Sequence, residues 1–207
     1  MKAVSRAGAA HWDDRYQTIG PESVSWYEAE PSTSIDLLDA VGATHGDAVI
    51  DVGGGASRLV DHLISLGYQD STVFDLSKAA LDVARNRVGS SAPVTWLTGD
   101  ILDWRPTRHY DIWHDRAVLH FLTTDRDRAR YVETLRSAIR PGGAVIIGVF
   151  AQDGPAQCSG LQVRRYTPAE LRSLLPDLAL IEARRHEHRT PNGAVQPFNW
   201  IAGRLPG

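Results

Sequence analysis

Cysteine and lysine are both scarce in this chain of 207 residues. The single cysteine, Cys158, excludes an intramolecular disulfide, and the only lysines are Lys2 and Lys78. No apolar run approaches the length of a membrane span, and the N-terminus lacks the apolar segment of a secretory signal. A net charge of −3 gives no general attraction to nucleic acid. We therefore expect a cytoplasmic protein that binds neither membrane nor nucleic acid, and the sequence leaves its oligomeric state open.

A glycine-rich turn follows the first buried strand that the sequence predicts. In the segment AVIDVGGGAS an apolar run reaches Asp51 and passes at once into Gly53, Gly54 and Gly55. Glycines permit a left-handed backbone and let a ligand approach main-chain N–H groups closely, here at the start of a helix expected over residues 57–66. This pattern is typical of a nucleotide-binding loop.

Residues beside this loop discriminate between two kinds of nucleotide ligand. A dinucleotide fingerprint requires a glycine five positions after Gly53, where this chain has Arg58. The carboxylate of Asp51 would repel a pyrophosphate, whereas it would attract an ammonium or a sulfonium group. S-adenosylmethionine (SAM) carries both of these cations. The loop therefore favours SAM, and a nicotinamide-dependent oxidoreductase is the less favoured alternative.

Strands and helices alternate along the chain. After the strand before the glycine loop, further strands are predicted at residues 71–75, 93–98, 110–114 and 144–150. Helices are predicted at residues 33–41, 57–66, 78–88, 124–139 and 167–175. Two last strands, at 178–188 and 194–203, flank a Pro-Asn-Gly turn and indicate an antiparallel hairpin. The alternation predicts an α/β fold with a doubly wound, Rossmann-like, mostly parallel sheet.

The first thirty residues are less regular than the rest and carry several aromatic residues among polar ones. We expect residues 1–30 to pack over the ligand crevice rather than to form a free tail. Residues 31–207 suffice for a single domain with a sizeable core and are too few for two comfortable ones.

Three carboxylates are expected at the carboxyl ends of successive strands, where a doubly wound sheet binds its ligand. Asp75 follows Asp51 by 24 residues, which is about the interval at which an acid accepts hydrogen bonds from a ribose diol. Asp100 is placed to accept a hydrogen bond from the adenine amine, while Ile101 packs on the ring. Together with Leu76, these residues form the predicted site for the adenosine half of SAM.

Five segments together resemble the class I SAM-dependent methyltransferases. They are DVGGGAS, VFDLS, TGDIL, YDIWHDRAVLHF and RPGGAVIIGVF, and they cover about residues 45–150. The resemblance implies a seven-stranded sheet between two layers of helices, with an antiparallel last strand that agrees with the predicted hairpin. One departure is Ser57, which replaces the third glycine of the strict motif.

The N-terminal segments HWDDRY and SWY are similar to those of thiopurine S-methyltransferase and of the elongation-factor and citrate-synthase lysine methyltransferases. By that resemblance Trp12, Tyr16 and Trp26 contact the cofactor. The segment WHDRAVL is similar to W-D-R-x-A-L of the thiopurine enzyme, with His114 as an extra residue. The resemblance implies that Arg116 anchors the methionyl carboxylate or the acceptor, and we place His114 among the cofactor-binding residues.

A general base is needed only if the acceptor arrives protonated, and Asp115 and His120 are the predicted candidates. His186 and His188 would share one face of a strand, but no third ligand is evident near them, so no metal is predicted.

These observations predict an enzyme that transfers a methyl group from SAM to a small-molecule acceptor, a thiol or another soft nucleophile. Transfer from a sulfonium mainly requires that donor and acceptor be aligned and that water be excluded. A protein-lysine methyltransferase is the main alternative, because the N-terminal pattern is shared with that group. A SAM-binding module without catalysis is a further one.

Overall fold

Seven strands form one sheet in the computed structural model of the protein, which describes residues 8–207. The described residues contain nine strands in all. In chain order they are β1 (Val49–Val52), β2 (Ser71–Asp75), β3 (Val94–Thr98), β4 (Tyr110–Arg116), β5 (Ile139–Phe150), β6 (Gln157–Cys158), β7 (Leu161–Gln162), β8 (Ala179–Arg189) and β9 (Val195–Arg204). The sheet has the order β3-β2-β1-β4-β5-β9-β8, and β6 and β7 form a separate two-stranded ribbon.

Six α-helices connect or precede these strands in the described part of the chain. They are α1 (Ala9–Thr18), α2 (Ser32–Ala40), α3 (Leu59–Ser65), α4 (Lys78–Val88), α5 (Asp125–Ala138) and α6 (Pro168–Ser173), with a 3-10 turn at Leu119–Phe121. Side chains cap the N-termini of three of them: Ser77 caps α4, Thr124 caps α5, and Thr167 caps α6 in a capping box. Within residues 8–207, no helix is both long and apolar enough to cross a bilayer.

The connectivity confirms the predicted fold class. Strands β1 to β5 pair in parallel, whereas β9 runs antiparallel to both β5 and β8. Alternate residues of β1 face opposite layers: Ile50 packs in the cluster that holds Leu135 of α5, and Val49 packs in the cluster that holds Leu37 of α2. The structure is thus a three-layer, doubly wound sheet whose strand order reverses between β1 and β4. That reversal is where such sheets open a ligand crevice.

Two local features differ from the sequence prediction. Helix α5 ends at Ala138 and β5 begins at Ile139, whereas the sequence predicted a helix to residue 139 and a strand only from residue 144. Strand β5 starts earlier because Ile139 already pairs with Tyr110 of β4. The register is irregular between this pair and the pair of Ile112 with Ala144. The ribbon of β6 and β7 was not predicted, since two-residue strands carry no alternation of apolar and polar residues.

Gly148 of β5 leaves the space that the indole of Trp200 on β9 occupies. A β-carbon at Gly148 would lie 2.6 Å from three carbons of that fully buried ring. Because overpacking strains a close-packed core, Gly148→Ala should lower the free energy of unfolding by about 1–3 kcal/mol in urea unfolding. The control is Gly46→Ala, whose added carbon meets no atom within 4 Å. It should change stability by less than about 0.5 kcal/mol, and equal stabilities of the two variants would contradict this packing argument.

Candidate active site

A pocket of about 260 Å³ lies at the carboxyl ends of the central strands. Nine of the predicted cofactor-binding residues line it: Trp12, Tyr16, Trp26, Gly53, Asp75, Leu76, Asp100, Ile101 and Arg116. A further apolar part of the lining comes from Phe121, Phe150, Cys158, Leu161 and Phe198. The other predicted residues do not line the pocket. Asp51, Gly54, Gly55 and His114 lie outside the lining, as do Asp115 and His120.

The backbone of the glycine loop explains why glycines are needed after β1. Gly53 has a φ of +71°, and a β-carbon there would lie only 2.0 Å from Cγ2 of Val118. Gly55 has a φ of +45°, and a β-carbon there would meet the hydroxyl of Tyr16 at 2.9 Å and the carboxylate of Asp75 at 3.0 Å. A side chain at either position would therefore collide with neighbouring residues, which explains the need for glycine.

Arg87 of α4 holds the far end of this loop. Its guanidinium donates to the carbonyl of Ala56 at 3.1 Å and to that of Ser57 at 2.7 Å, and it also pairs with Asp61 at 2.6 Å. Nothing local in the sequence indicates this role, because about thirty residues separate Arg87 from the carbonyls that it binds.

Asp75 lies at the end of β2, where a ribose diol was predicted to bind. The amide of Ser77 donates to its carboxylate at 2.7 Å. The pKa of Asp75 is raised to about 7, mainly by burial. The nearby carboxylates of Asp51 and Asp13 also raise it, whereas the hydrogen bond from Ser77 lowers it. The site therefore holds a carboxyl group that exchanges its proton near neutral pH.

Asp13 joins the N-terminal helix α1 to this part of the site. Its Oδ1 accepts hydrogen bonds from the hydroxyl of Ser77 at 2.6 Å and from the amide of Ala79 at 3.1 Å. A carboxylate at the first turn of α4 is also favoured by the helix dipole. The sequence analysis missed Asp13, because its partners lie more than sixty residues further along the chain.

Aromatic rings of the N-terminal segment form one wall of the pocket. The indole of Trp26 donates to the hydroxyl of Tyr16 at 3.1 Å, and Trp12 packs edge-on against Trp26 and Phe121, with ring centroids 5.9 and 5.1 Å apart. Burial raises the pKa of Tyr16, so the phenol stays neutral. The wall is therefore an uncharged aromatic surface.

Arg116, at the end of β4, binds the N-terminal segment. Its guanidinium donates to the carbonyl of Trp26 and lies 3.4 Å from the carboxylate of Glu28. The two ring nitrogens of His188 contact Glu28 at 3.1 Å and the carbonyl of Ser25 at 2.7 Å. Burial alone would raise the pKa of Glu28, but the hydrogen bond with His188 and the charge of Arg116 lower it instead.

The predicted catalytic residue Asp115 is fully buried. Its carboxylate accepts hydrogen bonds from the hydroxyl of Tyr131 at 2.5 Å and from the amides of Val118 and Leu119 at 2.8 and 3.1 Å. Burial raises its pKa to about 6. These contacts fix the turn after β4, so the placement of Asp115 does not support the role of a base that touches the acceptor.

The other predicted base, His120, is also fully buried. Its ring packs against Phe121 and Phe150 with centroids 4.4 and 4.7 Å away. Burial lowers its pKa to about 3, so the imidazole is neutral. Its position behind the two phenylalanines does not support direct contact with an acceptor either. Within residues 8–207, no group of three or more His, Cys, Asp or Glu side chains could hold a metal ion.

The central part of the chain matches a known domain family. Residues 49–143, just under half of the chain, match the family model described as "Methyltransferase domain". EEF1A lysine methyltransferase 2 of Danio rerio is 26% identical over 162 residues, which cover 70% of each protein. The eEF1A lysine and N-terminal methyltransferase of Mus musculus is 24% identical over 71% of this chain. The chain spans only 21% of that relative.

Solved structures share the whole fold. The structure described as "Conversion of a Disulfide Bond into a Thioacetal Group during Echinomycin Biosynthesis" has a TM-score of 0.76 at 21% identity, covering 96% of this chain and 93% of that one. NodS from Bradyrhizobium japonicum, in complex with S-adenosyl-L-homocysteine (SAH), has a TM-score of 0.69 at 17% identity, covering 94% and 100%. Residues 49–143 thus form a methyltransferase domain, and the shared fold and the SAH-bound neighbour agree with a class I SAM-dependent methyltransferase whose cofactor is SAM. The predicted class and cofactor are confirmed.

The raised pKa of Asp75 generates a prediction for SAM binding. The ionised carboxylate accepts two hydrogen bonds from a ribose diol, whereas the protonated group, which dominates below pH 7, has lost part of this capacity. The affinity for SAM should therefore rise about tenfold from pH 6 to pH 8 and then level off, as measured by calorimetric titration. Asp75→Asn should bind SAM more weakly at pH 8 and show little dependence on pH. A wild-type affinity that is constant over this range would remove Asp75 from the ribose site.

Proposed function

We propose that the protein transfers the methyl group of SAM to a small-molecule acceptor whose reacting atom is a thiol sulfur or another soft nucleophile. We assign to the acceptor the part of the pocket that is lined by Arg116 and by the aromatic rings of Trp26, Phe121, Phe150 and Phe198. Such walls desolvate a nucleophile and exclude water, which are the main requirements of methyl transfer from a sulfonium. The proposal includes the cytoplasmic location expected from the sequence.

The residues around the pocket fit SAM, which supplies an electrophilic methyl group when bound. Asp75 would accept hydrogen bonds from the ribose, Ile101 would pack on adenine, and the side-chain-free backbone at Gly53 would receive the methionyl end. Asp100, whose Oδ1 accepts from the amide of Leu102 at 3.0 Å, would bind the adenine amine. The chain's own residues thus orient the donor, and no residue of the chain has to form a covalent intermediate.

The surroundings of Cys158 are the observation that supports a soft nucleophile as the acceptor atom. This thiol lines the pocket, and burial raises its pKa to about 11, while the charges of Arg116 and Arg15 act in the opposite direction. A sulfur atom in this part of the pocket therefore lies within the field of Arg116. An acceptor thiol bound there would meet the same opposing effects: burial would favour the neutral thiol, and the charge of Arg116 would favour the thiolate, which is the reactive form. The sulfur chemistry named for the echinomycin structure is consistent with this choice.

A protein-lysine acceptor is the second candidate. Two relatives are named for the methylation of eEF1A lysines, and the resemblance of the N-terminal segments to lysine methyltransferases points the same way. Arg116 acts against it, because a positive charge in the acceptor region repels an ammonium group. A lysine would therefore have to enter in its neutral form.

Transfer of labelled methyl from SAM to a panel of small thiols, compared with proteins of a cell lysate, tests this proposal. We expect the wild-type protein to label small thiols. The Asp75→Ala variant should lose SAM affinity by about 30-fold or more, because it lacks two charge-assisted hydrogen bonds. Arg116→Ala should move the onset of thiol methylation to higher pH, while Arg116→Lys, which keeps the charge, should move it less.

Label that appears only on lysate proteins would favour the lysine candidate instead. Tight SAM binding without transfer to either class of acceptor would favour a binding module. Failure of the wild-type protein to bind SAM would contradict the proposed function altogether.

A further inference from the structure

Three polar side chains form a hydrogen-bonded chain behind the glycine loop. The hydroxyl of Ser34, in the first turn of α2, lies 2.9 Å from Nε2 of His114, and Nδ1 of His114 lies 2.7 Å from Oδ1 of Asp51. All three residues are buried, with relative exposures of 1%, 2% and 4% respectively. The indole of Trp200 covers the imidazole, with ring centroids 6.0 Å apart. The imidazole is thus held at both nitrogens and packed against a ring.

The same three residue types, in this order of contact, form the catalytic triad of serine hydrolases. Here the burial of Ser34 excludes that chemistry, because a nucleophile that is 1% exposed cannot reach a substrate. The three side chains therefore act on the structure around them.

The end of this chain at Asp51 is in contact with the glycine loop. Oδ2 of Asp51 lies 2.4 Å from where a β-carbon of Gly54 would be, so the carboxylate packs directly against that residue. Gly54 stands between Gly53 and Gly55, both of which have a positive φ. A rotation of the Asp51 carboxylate would push on the loop at its centre.

We propose that Ser34 is a positioning residue for SAM: through His114 it holds the Asp51 carboxylate against the loop that receives the methionyl end of the cofactor. The inference rests on the proposed SAM-binding function of this pocket. When Nδ1 of His114 donates to Asp51, Nε2 needs a partner of its own in this dry site, and Ser34 supplies it. Without the hydroxyl the imidazole would be free to turn, and Asp51 would lose its fixed orientation and the fixed place of its negative charge.

A double-mutant cycle with SAM affinity as the readout tests this inference. Ser34→Ala should weaken SAM binding about three- to tenfold in calorimetric titration, and Ser34→Thr, which keeps a hydroxyl, should restore most of it. His114→Asn places an amide donor near the position of Nδ1 but does not reach Ser34. In the His114→Asn background, Ser34→Ala should therefore change the affinity by less than about twofold.

Ser32→Ala is the matched control, because it removes the same hydroxyl from an exposed position of the same helix turn and should leave the affinity unchanged. Alanine is the better helix former, so Ser34→Ala should stay folded, which thermal unfolding checks. An equal loss in both backgrounds would reveal a general effect of α2 and overturn the inference, as would no loss in either. Wild-type protein that fails to bind SAM would overturn the proposed function itself, and the inference with it.

Discussion

The loops after β1 and β4 meet at Gly53 and Val118, with no space for a side chain on the glycine. This close approach is the constraint on which the site depends. The two strands pair in parallel at the centre of the sheet, and the strand order reverses between them, so their loops leave in diverging directions. The pocket forms where they diverge. A larger residue at position 53 would collide with Val118, which lines the pocket together with Gly53.

A second layer of contacts fixes the loops from behind and from the side. Arg87 binds the carbonyls at the far end of the glycine loop, and Asp51 packs under its centre. Asp115 binds the two amides of the turn after β4. None of these three side chains lines the pocket, yet each fixes the backbone of one of the two loops that border it. Buried charges are costly unless they are hydrogen-bonded, and all three are.

The sequence predicted the sheet well, and nine of the predicted cofactor-binding residues line the pocket, because the signals for both are local. Apolar runs mark the central strands, and Asp75 and Asp100 directly follow two of them. Asp115 and His120 share the same local signal, but whether a side chain turns toward the pocket or into the core depends on the 3-10 turn that follows β4. Asp13, Glu28, Arg87 and Ser34 could not be predicted, since their partners are at least 26 residues away along the chain.

The wall that the N-terminal segment contributes is built differently from the sheet. Helix α1 contributes no residue to the buried core, and besides the ring contacts of Trp12 the segment is held by polar contacts, such as those of Asp13 with α4, of Arg15 with the carbonyl of Ser159 at 3.2 Å, and of Arg116 with Trp26. Elements with little buried apolar surface open at a lower free energy than the core unfolds. We therefore expect spent cofactor to leave by separation of α1 while the sheet stays intact. The turnover rate would then be set by product release, and the strength of a few surface-near hydrogen bonds would govern it more than the methyl-transfer step does.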